Sequence, residues 1–154
     1  MKTIVFVCTG NICRSPTAHA ITNHHLKQSK KDVSYRAISA GITDFHVGHG
    51  ADERSIEICA KYGIDIRDHK VRHISDADLS NAFMIICMDE SHVEHIKTRC
   101  PKEIHQKTIL LLEKFGDDPH VKNVPDPYYG KKDGFERMFK LIEKACKNLT
   151  ESLH

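Results

Sequence analysis

The apolar run Ile4-Val5-Phe6-Val7 leads directly into the loop Cys8-Thr9-Gly10-Asn11-Ile12-Cys13-Arg14-Ser15-Pro16. This junction constrains the fold more than any other segment. A short apolar run bounded by a Gly-containing loop reads as a buried strand. Pro16 stands where a helix can begin, because proline suits the first helical turn. Ala18, Ile21, His25 and Leu26 continue a helical face. The junction is therefore read as strand, loop, helix.

The same alternation recurs downstream. Val33 to Ala40 reads as a second strand and Ala51 to Tyr62 as a helix stopped by Gly63. Ala82 to Met88 reads as a third strand, followed by a helix opening at Asp89 or Ser91 with Val93 and Ile96 inward. Thr108 to Leu112 reads as a fourth strand. Phe135, Met138, Phe139, Ile142, Ala145, Cys146 and Leu149 form one face of a final amphipathic helix. Alternating units with nearly continuous apolar strands predict an α/β fold: a parallel sheet with helices on both faces. Ligands on such sheets bind beyond the carboxyl ends of the strands. That places the candidate site at the loop after the first strand.

Composition sets outer bounds. The chain has 154 residues, 40% hydrophobic and 29% charged, which suits one globular domain over residues 1–154. The net charge of +2 is too weak for a nucleic-acid binder, which concentrates Lys and Arg on one face. The apolar run at residues 4–8 is too short for a secretory signal core, and no stretch approaches a membrane span. A cytoplasmic location with six reduced cysteines is the expectation.

Residues 8–16 can assemble an anion site. Backbone N–H groups of a Gly-containing loop can converge as a nest, and the helix N-terminus adds free donors and positive potential. Cys8 lies where these dipoles meet, which favours its thiolate as a nucleophile. Arg14 offers a planar fork for two phosphate oxygens. Ser15 is placed to donate its hydroxyl to the Cys8 sulfur. Gly10 and Asn11 tolerate left-handed backbone angles. A Cys six positions before an Arg arises by chance in about one chain in four of this composition, so the surrounding context carries the assignment.

At these residues the sequence resembles the low-molecular-weight protein tyrosine phosphatases. The similarity extends through Ser39-Ala40-Gly41, residues 44–48, Gly63-Ile64-Asp65, His69, Met88-Asp89-Glu90-Ser91 and Asp126-Pro127-Tyr128-Tyr129-Gly130. The resemblance implies a four-stranded parallel sheet and a phosphate-binding loop made by Cys8, Thr9, Gly10, Asn11, Ile12, Cys13 and Arg14. It implies Cys8 as nucleophile, Arg14 as phosphate ligand, and Asp126 as general acid and then general base. It implies Asn11, Ser15, Ser39 and His69 as supports of the loop, and Ile12, Phe45, Tyr128 and Tyr129 as walls of the substrate cleft. It implies no metal and no cofactor. Phe45 stands where many members carry Trp or Tyr, keeping an aromatic face without a polar handle.

Asp126-Pro127 in isolation is a turn signal; the loop upstream and the neighbouring tyrosines turn it into a candidate proton donor. The twelve histidines contain no His-Glu-x-x-His pattern, and His24, His25, His92, His95, His105 and His120 are read as ordinary surface or partly buried residues. Cys59, Cys87, Cys100 and Cys146 are expected to be packing residues. Cys13 shares a small loop with Cys8, which suits a redox pair. Phosphotyrosine proteins or peptides are the expected partners, and tyrosines beside the cleft suit a monomer or weak self-association. Competing readings are a thiol-dependent arsenate reductase, a protein-arginine phosphatase and a non-catalytic phosphotyrosine-binding module. The first needs further redox cysteines in relay. The second tends to carry Thr where Ile12 stands. The third is disfavoured by Cys8, Arg14 and Asp126 together.

Overall fold

The computed structural model describes residues 1–128, 130 and 133–154. Its strands are β1 (Lys2–Cys8), β2 (Tyr35–Gly41), β3 (Met84–Cys87) and β4 (Thr108–Leu110). Its helices are α1 (Arg14–Gln28), α2 (Glu53–Lys61), α3 (Asp76–Asn81), α4 (Glu90–Arg99), α5 (Lys102–His105), α6 (Leu111–Phe115) and α7 (Asp133–Ser152). The strands form one sheet in the order β2-β1-β3-β4, with every pairing parallel. The expected four-stranded parallel architecture is what the chain adopts.

The period-two alternation of a strand divides β1 between two cores. Ile4, Phe6 and Cys8 face α1 and α7, packing with Ala18, Ile21, Phe139, Ile142 and Leu149. Val5 and Val7 face the other way, with Ile85, Cys87, Leu79, Ile96 and Ile104. Both faces are thus covered, and β1 is buried in the middle of the sheet. The expected apolar stripe of α7 is buried along its length, from Phe135 to Leu149.

Several boundaries differ from the sequence reading, each for a local reason. The first helix opens at Arg14, two residues before Pro16, and Pro16 occupies its third position, where the missing N–H costs no helical bond. Val33 lies outside β2: Lys30 adopts a positive φ of 59°, and Lys31 N–H donates to the Leu26 carbonyl, so the chain is still turning. The expected fourth strand stops at Leu110, and Leu111 and Leu112 begin α6. A short apolar run does not distinguish strand from helix. Three helices were not foreseen, α3, α5 and α6. The first carries a full capping box, with Ser75 and Asp78 exchanging side chain-to-backbone bonds.

Gly41 explains the Ser39-Ala40-Gly41 segment. It pairs with Cys8 across the β1–β2 ladder. A Cβ at this position would sit 2.8 Å from the Thr9 carbonyl oxygen and 3.1 Å from the Asn11 nitrogen. Only glycine lets β2 lie this close to the loop leaving β1.

Candidate active site

Cys8 ends β1, and the following loop curls back to the N-terminus of α1. That helix has no side-chain cap and no acidic residue in its first turn. Its free N–H donors are left for an anion, with no capping side chain among the described residues to compete for them.

Asn11 holds the loop. Its φ of 57° lies in the left-handed region, a conformation asparagine tolerates better than most residues. Its Nδ2 donates to Ser15 Oγ at 2.8 Å and to Ser39 Oγ at 3.0 Å. Its Oδ1 accepts from Arg72 N–H at 3.0 Å, and its carbonyl lies 2.8 Å from His69 Nε2. A carbonyl only accepts, so His69 carries a proton on Nε2. All four expected loop supports, Asn11, Ser15, Ser39 and His69, therefore meet in one network.

Ser15 Oγ accepts from Asn11 Nδ2 and lies 2.9 Å from Cys8 Sγ, within reach to donate its own hydrogen to a thiolate there. Ser39 Oγ, which also accepts from Asn11, lies 2.6 Å from His19 Nδ1. Burial, followed by the nearby His69 and Arg72, pushes His19 down to about 4, so it stays neutral. His19 was missed in the sequence because nothing local marks a helical histidine as the terminus of such a chain.

Arg14 is only 3% exposed. Its Nη1 is committed, donating to Asp89 Oδ2 at 2.6 Å and to the Val124 carbonyl at 2.9 Å. Its Nη2 is held by longer contacts, 3.4 Å to Thr9 Oγ1 and 3.5 Å to Asp126 Oδ2. The guanidinium is thus anchored at one nitrogen and available at the other. Burial opposes ionisation of Asp89, but hydrogen bonds from Ser91 and Arg14 and the neighbouring positive groups outweigh it and hold its carboxyl below the usual range. Asp89 also caps α4, as the sequence reading allowed.

Asp126 stands across the pocket from the loop. Its side chain is 38% exposed, and its Oδ1 accepts the Tyr128 N–H at 3.0 Å. Cys8, Thr9, Gly10, Ile12, Cys13, Arg14, Thr43, Phe45, His46, Asp126 and Tyr128 enclose a cavity of about 130 Å³. Roomier hollows lie along α7, α2 and α4, but no cysteine lines them. Ile12, Phe45 and Tyr128 line the cavity as expected; Tyr129 lies outside the described residues. The Phe45 ring is 79% exposed, so it forms a rim and not a closed wall. Arg54 stacks its guanidinium over the Tyr128 ring at 5.4 Å and over Phe135 at 4.6 Å.

His92 corrects the sequence reading. It is fully buried and its Nε2 lies 2.9 Å from Thr9 Oγ1. Its position three residues after the helix-capping Asp89 was the available signal.

All six cysteines are free. Cys13 is buried, and burial pushes its thiol up to about 12. Cys87 pairs in register with Val7, whose side chain belongs to the opposite sheet face from Cys8. It is therefore badly placed for a disulfide relay with Cys8. Among the described residues, no three His, Cys, Asp or Glu side chains group in a way that holds a metal ion. No helix among them is long and apolar enough to cross a membrane.

The comparisons with known proteins agree with this geometry. The family model described as "Low molecular weight phosphotyrosine protein phosphatase" matches residues 3–154. A low molecular weight protein-tyrosine-phosphatase of Streptomyces coelicolor is 35% identical over 150 residues, covering 95% of this chain and 90% of the relative. The Gallus gallus low molecular weight phosphotyrosine protein phosphatase is 30% identical over 154 residues, covering 100% and 97%. Among solved structures, a protein tyrosine phosphatase from Entamoeba histolytica with Hepes in its active site superposes with a TM-score of 0.91 at 33% identity, covering 97% of this chain and 94% of that one. YfkJ from Bacillus subtilis gives 0.91 at 33% identity, covering 99% and 94%. With sequence, topology and loop in agreement over nearly its whole length, the chain belongs to the low molecular weight phosphotyrosine protein phosphatase family.

Proposed function

We propose that residues 1–154 act as one catalytic domain that hydrolyses phosphotyrosine, and small aryl phosphates, through a phosphocysteine intermediate on Cys8. The observation that carries this reading is the placement of Cys8 Sγ, with the Ser15 hydroxyl 2.9 Å away, in a cavity also lined by Arg14 and Asp126. The Cys8 thiolate attacks phosphorus; an S–P bond forms as the ester P–O bond breaks. Asp126 gives its proton to the departing oxygen. Arg14 and the loop N–H groups hold the oxygens on which charge is spread. Asp126, now a carboxylate, takes a proton from the water that attacks phosphocysteine. The S–P bond breaks, phosphate leaves, and the Ser15 hydrogen bond stabilises the thiolate released. Hydrolysis of p-nitrophenyl phosphate without added metal, inhibited by vanadate, is the test. A chain that binds phosphotyrosine without turnover is a binding module instead.

Selectivity follows from reach. An aryl ester extends from the loop past Ile12 to the rim formed by Phe45 and Tyr128, whereas phosphoserine ends inside it. We expect kcat/KM for a phosphotyrosine peptide to exceed that for the matched phosphoserine peptide by at least about tenfold, a modest claim for a site reading one large ring. Equal values would contradict the reading, and phosphoarginine as the best substrate would support the arginine phosphatase.

A redox switch fits the same loop. Cys13 lies close enough to Cys8 to feel its charge, and its raised pKa of about 12 keeps it a thiol, inert to peroxide until Cys8 is oxidised. Peroxide converts the Cys8 thiolate to sulfenic acid with loss of hydroxide; the Cys13 sulfur then displaces water to form the disulfide. Reduction by added thiol restores both cysteines. Cys13→Ser is expected to stay active yet recover poorly after peroxide. Mass mapping that finds no Cys8–Cys13 linkage in the oxidised, recoverable protein would sink the switch.

A further inference from the structure

Thr9 directly follows the nucleophile, and the surroundings of its hydroxyl decide where its proton goes. A hydroxyl has one proton to donate and two lone pairs. His92 Nε2 lies 2.9 Å from Thr9 Oγ1, and Arg14 Nη2 donates to the same oxygen at 3.4 Å. The tautomer of His92 is settled at its other nitrogen, where the Asp89 backbone N–H donates to Nδ1 at 3.1 Å. Nδ1 is the accepting nitrogen, so Nε2 carries the proton. Burial keeps the ring neutral, pushing it down to about 4 against the opposing pull of Asp89. Both lone pairs of Oγ1 are then occupied by donors, and neither donor nitrogen can accept in return. The hydroxyl proton is left to point elsewhere, and Thr9 lines the cavity that holds Cys8 and Arg14.

We propose that the Thr9 hydroxyl donates directly to the phosphoryl group in this cavity, with His92 as its positioning residue. The inference rests on the phosphatase reading above. A phosphoryl oxygen is an anionic acceptor, and Arg14 Nη2 reaches the same part of the pocket. The loop N–H groups serve an anion whatever the side chains; this contact needs a hydroxyl at residue 9 and a donor at residue 92. Asp89 sets both side-chain donors. Its carboxylate fixes Arg14 Nη1, and its backbone N–H fixes the His92 ring.

Titration of the full chain with inorganic phosphate, followed calorimetrically, tests the contact. Thr9→Val is expected to weaken binding about tenfold or more, the scale of a hydrogen bond to a charged group, while Thr9→Ser stays within about threefold of wild type. His92→Phe is expected to weaken binding in the Thr9 chain and to add nothing in the Thr9→Val chain, because it acts only through that hydroxyl. Additive losses would reduce His92 to a packing residue and overturn its positioning role. A crystal structure of wild type with phosphate needs no variant to fold: Thr9 Oγ1 should lie within hydrogen-bonding distance of a ligand oxygen. Separation beyond about 3.5 Å from every ligand oxygen, or a Thr9→Val chain that binds like wild type, overturns the Thr9 contact alone. A wild type that takes up no phosphate between Cys8 and Arg14 overturns the phosphatase reading with it.

Discussion

Cys8→Ser is expected to abolish turnover of aryl phosphates while inorganic phosphate still binds. At neutral pH a serine hydroxyl is a far weaker nucleophile than a thiolate, and among the described residues no general base lies against it to compensate. Among the described residues its side-chain partner is Ser15, a neutral hydroxyl that also accepts from Asn11 and is no base. The loss is expected to reach at least about four orders of magnitude, as for other covalent nucleophiles. Phosphate binding is expected to persist because the proposed ligands remain in place. Asn11 is held by Ser39, His69 and Arg72, and Arg14 by Asp89 and Val124, none of them through the sulfur. Turnover above about 1% of wild type would remove the covalent-cysteine mechanism. Loss of phosphate binding together with turnover would instead mark Cys8 as a structural thiol.

The parts of this site that are contiguous in sequence were legible there. The buried strand, the loop and the helix start follow from an apolar run, residues tolerant of positive φ, and a proline near the first turn. Asn11 indeed adopts the left-handed angle its type allows. The parts assembled across the sheet were not. Arg14 is fixed by Asp89, 75 positions away, and by a backbone carbonyl 110 positions away. No side-chain pattern announces a carbonyl acceptor. His92 read as an ordinary histidine because its partner, Thr9, lies 83 positions upstream. Gly41 illustrates the same limit: its reason is the approach of the Thr9 carbonyl, which exists only once β2 pairs with β1. The short helices α3 and α6 escaped for a different reason. Each is too brief for a helical period to emerge, although the Ser75–Asp78 capping box was there to be read.

Asp126→Asn is expected to cost more with a poor leaving group than with a good one. In the proposed mechanism, attack by Cys8 places negative charge on the departing ester oxygen. Tyrosine, whose hydroxyl ionises near 10, holds that charge poorly, whereas nitrophenolate delocalises it. A positioned acid typically supplies about 10²–10⁴ in rate, and nearly all of that should be lost with phenyl phosphate. Asp126 is placed for both halves of the reaction: it lines the cavity, its Oδ2 is 3.5 Å from Arg14 Nη2, and its 38% exposure gives it access to water. In the proposed mechanism, hydrolysis of phosphocysteine depends on the same carboxylate and is blind to the original leaving group. If that step limits kcat, it hides the effect, so the measurement must be kcat/KM or the burst of first turnover. The slope of log kcat/KM against leaving-group pKa should steepen in the variant. Asp89→Asn provides the contrast. Its carboxylate is occupied by Arg14 and Ser91, so its loss should loosen phosphate binding and lower kcat/KM for all esters by a similar factor. A slope unchanged in Asp126→Asn but steepened in Asp89→Asn would transfer the proton donor from Asp126 to Asp89.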